Sequence, residues 1–132
     1  MEPAPDRDPA AIAYQVATAA RALRDRTAKP VDLGTVDEVR DVVEGLHLAV
    51  DQLPQAIRQA AAALRALEEQ QAIGAAGGGD PGEDVSLALR ALLNTEIGLT
   101  VARASLREAM AALSRIDSPA TVIPGPGATA AP

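Results

Sequence analysis

The stretch 35-TVDEVRDVVEGLHLAVDQLPQAIRQAAAALRALEEQQ-71 decides how the chain folds. From Val36, apolar residues recur in alternating steps of three and four: Val36, Val39, Val43, Leu46, Val50, Leu53, Ile57, Ala60, Leu64 and Leu67. Held over about five heptads, that spacing predicts one long helix with a single buried seam. At about 1.5 Å per residue it would span about 55 Å. Thr35 and Glu38 fit a capping box at its start, each satisfying the other's backbone donor. Pro54 lies inside it, where proline removes a backbone hydrogen bond and crowds the preceding turn. The register runs through Leu53 and Ile57 without a slip, so a kinked continuous helix is expected rather than two helices. Beside the seam stand Val42, Ala49, Ala56 and Ala63 on one flank, and Arg40, His47, Pro54, Ala61 and Glu68 on the other. A free two-stranded coil keeps charges at such positions. A stripe widened by Val and Ala predicts a helix that touches two neighbours in a bundle.

Working outward, Gly74-Ala75-Ala76-Gly77-Gly78-Gly79 cannot hold a helix and reads as a hairpin loop. Asp80-Pro81-Gly82-Glu83 then restarts one, and Ser118-Pro119 stops it. This third helix has its own seam: Val85, Ala88, Leu92, Thr95, Leu99, Ala102, Leu106, Ala109, Leu113 and Ile116. A second stripe, Leu89, Leu93, Ile97 and Val101, lies on another side. It is either where the first helix docks or an interaction surface for another chain. The first helix opens at Asp8-Pro9, carries Ile12, Val16, Ala19 and Leu23 on one face, and ends at Lys29-Pro30. The expected fold is all-α: a three-helix bundle built on a long antiparallel helical hairpin, with helices at about 9–28, 35–73 and 81–117. Residues 1–8 read as a flexible lead-in and 118–132 as a Pro/Gly/Ala tail with no means of packing a core. The first helix is about half the length of the second and cannot cover the whole hairpin. That shortfall raises a homodimer as the way the bundle is completed.

Composition narrows the classes of function. Hydrophobic residues make up 48% of the chain, yet Phe, Trp and Cys are absent and there is one Tyr. The core must come from Leu, Val, Ile and much Ala, which adds little transfer energy beside the roughly 1.5–3 kcal/mol of a buried Val or Leu. A net charge of −6 and a pI of about 4.7 argue against nucleic acid as a partner, since phosphate binding needs clustered Lys and Arg. Without Cys there is neither a disulfide framework nor thiolate chemistry. Pro3, Pro5, Asp6, Asp8 and Pro9 stand where a signal peptide needs a basic start and an apolar run. No stretch approaches about 18 uninterrupted apolar residues, so no membrane span is expected. A cytoplasmic location follows by default, although export without a signal peptide would leave the same record.

Few residues in the sequence point to chemistry. His47 is the only His, and with no Cys it cannot build a zinc site; with Asp51 it reads as an i, i+4 pair at the seam's edge. Asp37, Glu38, Asp41, Glu44 and Asp51 read as a solvated acidic face. Glu96 and Arg103 occupy equivalent heptad positions beside the third helix's seam, with Arg107 one turn on. Flanking salt bridges or snorkelling side chains are the plain reading. The enzyme reading is a ligand site between helices, as in a small helical enzyme such as a chorismate mutase. Gly77-Gly78-Gly79 lacks the Lys-Ser/Thr and the preceding strand of a phosphate loop.

Leu46-His47-Leu48-Ala49-Val50-Asp51-Gln52-Leu53-Pro54-Gln55 resembles short uncharacterised helical proteins of high-GC actinobacteria, and the resemblance implies no activity. With the small secreted hairpins of the WXG type only the hairpin plan is shared. There is no Trp, and Thr18 stands where an acidic residue would complete a secretion signal after Tyr14. The expectation is a non-enzymatic helical module, without cofactor or metal, whose partner is itself or another helical protein. The alternatives are a hairpin that depends on a cognate chain or is secreted, and a small-molecule bundle using Glu96 and Arg103.

Overall fold

The computed structural model describes residues 8–117. The expected tail at 118–132, and all of the lead-in but Asp8, lie outside them. The described residues are helical throughout their regular structure: α1 (Pro9–Arg26), a single 3-10 turn (Pro30–Asp32), α2 (Val36–Glu69) and α3 (Gly82–Leu113). All three helices end two to four residues short of the expected limits, a difference typical of frayed ends.

The starts follow the sequence closely. Asp8 and Asp80 act alike: their carboxylates accept from the N–H two residues on, Ala10 at 3.1 Å and Gly82 at 2.9 Å. Thr35 Oγ1 accepts from Glu38 N at 3.1 Å, but Glu38 reaches back to Gly34 N at 3.4 Å rather than to Thr35. The capping box is thus displaced by one residue. At its far end α2 closes with the paired bonds of a Schellman motif, Ala72 N to Leu67 O and Gln71 N to Glu68 O, both 2.9 Å. The residue held in the left-handed region there is Gln71, with φ of 57°, a place where glycine is ordinarily preferred. Gly78 and Gly79, at φ of 86° and 95°, then turn the chain back.

α2 runs unbroken through Pro54, as its register predicts. It packs antiparallel on α3, and this is the extensive helix–helix contact among the described residues. The seam is rotated from its expected position. Val36, Val43, Val50, Ile57 and Leu64 remain on it. Between them Arg40, His47, Pro54 and Ala61 turn inward; of the expected seam residues Val39 and Leu53 stay half-buried, whereas Ala60 is exposed and Leu46 and Leu67 are 39% and 45% exposed. Pro54, Ala61 and Val85 are the buried residues of α2 and α3. They are small or compact, which is what lets the helices approach closely. The α3 seam holds from Val85 to Leu113 except at Thr95, which is exposed with its hydroxyl donating to Ala91 O at 2.9 Å; beyond Leu113 the expected seam residue Ile116 is 48% exposed.

α1 is placed otherwise than expected. It lies not on the second stripe of α3 but across an apolar cleft of about 400 Å³ from the first half of α2. Its expected stripe does face inward, since Val16, Ala19 and Leu23 line that cleft opposite Val42, Leu46 and Ala49. Ile12 and Val16 nevertheless stay 43% and 47% exposed. The widened flank of α2 therefore meets a second neighbour, but across open space.

Two outcomes test this arrangement. Leu99→Asp puts a charge in the α2–α3 seam at a cost of at least about 3 kcal/mol, so thermal unfolding should lose its cooperative transition; an unchanged Tm refutes the seam. Gln71→Gly relieves the left-handed residue and should raise stability by about 1 kcal/mol, read as a higher midpoint in urea.

Candidate interaction surfaces

α2 and α3 are stitched along one edge of their seam by polar side chains. Glu96 Oε2 meets Arg58 at 2.8 Å (Nη2) and 2.9 Å (Nε), and Arg58 also donates to Gln55 Oε1. Arg103 Nη1 meets Asp51 Oδ1 at 3.4 Å. Seven residues back along α2 matches seven forward along α3, so both pairs report one register. Near the open end Arg40 donates to the carbonyls of Leu113 (2.9 Å) and Ile116 (2.7 Å) while paired with Asp37. The last turn of α3 has no basic residue of its own, so its orphan carbonyls are capped from the neighbouring helix.

This geometry locates the residues singled out in the sequence. Glu96 and Arg103 sit at the seam edge as the flanking-bridge reading has them, each engaged across helices. The notch beside Glu96, also lined by Arg58, Arg65 and Leu89, holds about 40 Å³, room for a water or two against the several hundred Å³ of ligand pockets. Arg107 is exposed. Asp51, its side chain partly exposed, is paired with Arg103 and not with His47. His47 is half-buried, with a buried Nε2 that finds no partner among the described residues. No three His, Cys, Asp or Glu side chains among the described residues converge as a metal site. Sequence reasoning missed the Asp51 and Arg40 contacts. The readable signal was opposite charge at matched antiparallel positions, which becomes visible only once the hairpin register is chosen.

The expected interaction stripe divides. Leu89 is half-buried and turns into the notch on α2. Leu93 borders the same notch but is 53% exposed, and Ile97 and Val101 stand 54% and 61% exposed on the side of α3 away from α2, where no helix among the described residues covers them. A run of this kind, at four-residue spacing, is a candidate contact face. α3 is also long and apolar enough, by length and composition alone, to cross a membrane, with a mean hydropathy of 1.3 over its best 18 residues. The expectation that nothing here could span a bilayer rested on uninterrupted apolar runs, and the averaged value is less strict. Arg90 and Glu96 interrupt the run.

Compared with models of protein families, with curated proteins and with solved structures, the chain matches none.

The cross-helix pair is open to a double-mutant cycle. Arg58→Ala and Glu96→Ala should each destabilise the fold, with a coupling of about 0.5–1 kcal/mol for a partly exposed pair. Strict additivity in urea unfolding would show that the two side chains do not act on each other.

Proposed function

We propose that this chain is a non-enzymatic helical module for protein–protein contact, and that its first partner is a second copy of itself. The observation that carries the reading is the exposed row Leu93, Ile97 and Val101 on a chain with a thin core. Among the described residues Ala61 and Val85 are the buried hydrophobics, and no large side chain is fully buried. A fully buried Val, Leu or Ile contributes roughly 1.5–3 kcal/mol, and most of the large apolar residues here realise only part of it. Covering the outer face of α3 adds that missing burial. The module needs no cofactor or metal and works in the aqueous phase, in the cytoplasm. A net charge of −6 weighs against nucleic acid. Arg90 and Glu96 weigh against a bilayer, where a charge such as Arg costs about 2.5–3.5 kcal/mol at the centre of a span. Glu96 and Arg103 hold helix register in this reading and act on no substrate.

A second reading has one observation in its favour. The cleft of about 400 Å³ between α1 and α2 is lined almost wholly by apolar side chains. A hairpin stable only with a different cognate chain, exported or not, would fill it with a partner helix.

Thermal unfolding followed by circular dichroism over a hundredfold range of concentration separates the readings. A Tm that climbs with concentration supports self-association, because mass action stabilises an oligomer. A lone chain without cooperative structure favours the cognate-partner reading. A cooperative, concentration-independent monomer removes the basis for a self-associating module.

A further inference from the structure

The face of α3 turned away from α2 carries an ordered row. At about 100° per residue, Glu83, Arg90, Ile97, Val101 and Glu108 fall within about 40° of one another around α3, and Arg115, in the turn just past the helix, comes next in the row. All six are exposed. Glu83 lies in the first turn, and Arg115 lies two residues past Leu113, in the turn that follows the helix, where its N–H donates to Ala112 O. Read along the chain, the row runs acidic, basic, apolar, apolar, acidic, basic. None of the four charges makes an ion pair among the described residues. Nor does the sequence put an opposite charge three or four residues from any of them, the spacing at which helical side chains meet. These are charges without local partners among the described residues, flanking the exposed apolar residues Ile97 and Val101.

The row is self-complementary when turned end for end. We propose that it is a homodimer interface in which α3 of one copy lies antiparallel on α3 of the second, with the two-fold axis level with Leu99. Ile97 then meets Val101 of the second copy at the centre. Arg90 meets Glu108, and Glu83 meets Arg115, on both sides of the axis. Asn94 falls opposite the small Ala104, which leaves its amide room to turn to solvent, and Leu93 packs beside that same Ala104. The alternatives are disfavoured by the same charges. A parallel pair stacks Arg90 on Arg90 and Glu108 on Glu108. An antiparallel pair slipped by one heptad sets Arg90 against Arg115 in one direction and Glu83 against Glu108 in the other. The two-fold contact is isologous and closes on itself, so it gives a dimer and not a filament. This inference rests on the self-association proposed above and adds the face, the direction and the register.

Sedimentation equilibrium of the full chain and two exposed-site variants tests it. In Arg90→Glu, each copy presents two acids to two acids; in Glu108→Arg, two bases face two bases. Each alone should weaken the dimer by about tenfold or more, since like charges brought together are costly, with helicity unchanged because both sites are exposed. Mixing the two variants in equal amounts should restore a dimer, as should combining R90E and E108R in one chain. A dimer that is indifferent to both single reversals overturns this face while leaving self-association intact. A wild-type chain that stays monomeric at all concentrations overturns the second copy as occupant, and leaves the row to the chain's own tail or to another protein.

Discussion

Everything in this structure depends on how α2 is registered against α3. The seam between them is chemically repetitive, with Val36, Val43 and Val50 on one side and Ala88, Ala102 and Ala109 on the other. Sliding one helix past the other by a heptad would exchange one small apolar contact for a similar one. Packing alone therefore discriminates weakly among registers. The charges at the seam's edge discriminate better. In the observed register Arg58 meets Glu96 and Asp51 meets Arg103. A slip of seven residues one way sets Arg58 against Arg103, and a slip the other way sets Asp51 against Glu96. Pairs that contribute little to stability at a partly exposed edge can still decide which alignment is adopted, because the alternatives juxtapose like charges. Arg40, closing the carbonyl end of α3, adds a stop at one end of the hairpin.

α1 is less constrained. It leads into α2 through the 3-10 turn at Pro30–Asp32 and presents its apolar stripe to the widened flank of α2, but the two surfaces do not close. Ala19, Ala20 and Ala49 reach only a short distance into the gap. Low side-chain bulk serves the α2–α3 seam, where backbones can come together, and fails at the α1–α2 contact, where the helix stands off. The same composition thus gives one tight interface and one open one.

The period of each helix was legible in the sequence; the phase was less so. Val36, Val43, Val50, Ile57 and Leu64 belong to both candidate seams of α2, and the choice falls on the residues between them. Reading Leu46 inward ahead of His47 follows hydrophobicity. The hairpin does the reverse because α3 sits toward the charged edge and α1 takes the Val42–Ala49 side. Continuity through Pro54 could be read, since the pattern never slips there. The docking of α1 could not: an amphipathic stripe states that a face needs cover without stating which neighbour supplies it. Among the site residues, Ile97 and Val101 stood out by spacing and are uncovered among the described residues, Leu93 stands exposed at the rim of the notch at Ala61, and Leu89 is half-buried in it. Glu96 and Arg103 were recognisable as a matched set. Their partners were not, because Asp51 looks like any other acid on the outer face of α2 until the antiparallel alignment is known.

The glycine turn also sets an order of events. Contacts across the hairpin lie at growing separations along the chain: 38 residues for Arg58 with Glu96, 52 for Asp51 with Arg103 and 73 for Arg40 with Leu113. Closing a loop costs more entropy as it lengthens, though only slowly. Once the turn has formed, each pair shortens the loop left for the next. Loop entropy therefore favours closing the hairpin as a zipper from the Gly78–Gly79 end, with the Arg40 end last. That end adjoins α1 and its cleft, so the part of the chain most ready to admit a partner is also the part whose opening leaves the rest of the hairpin in place.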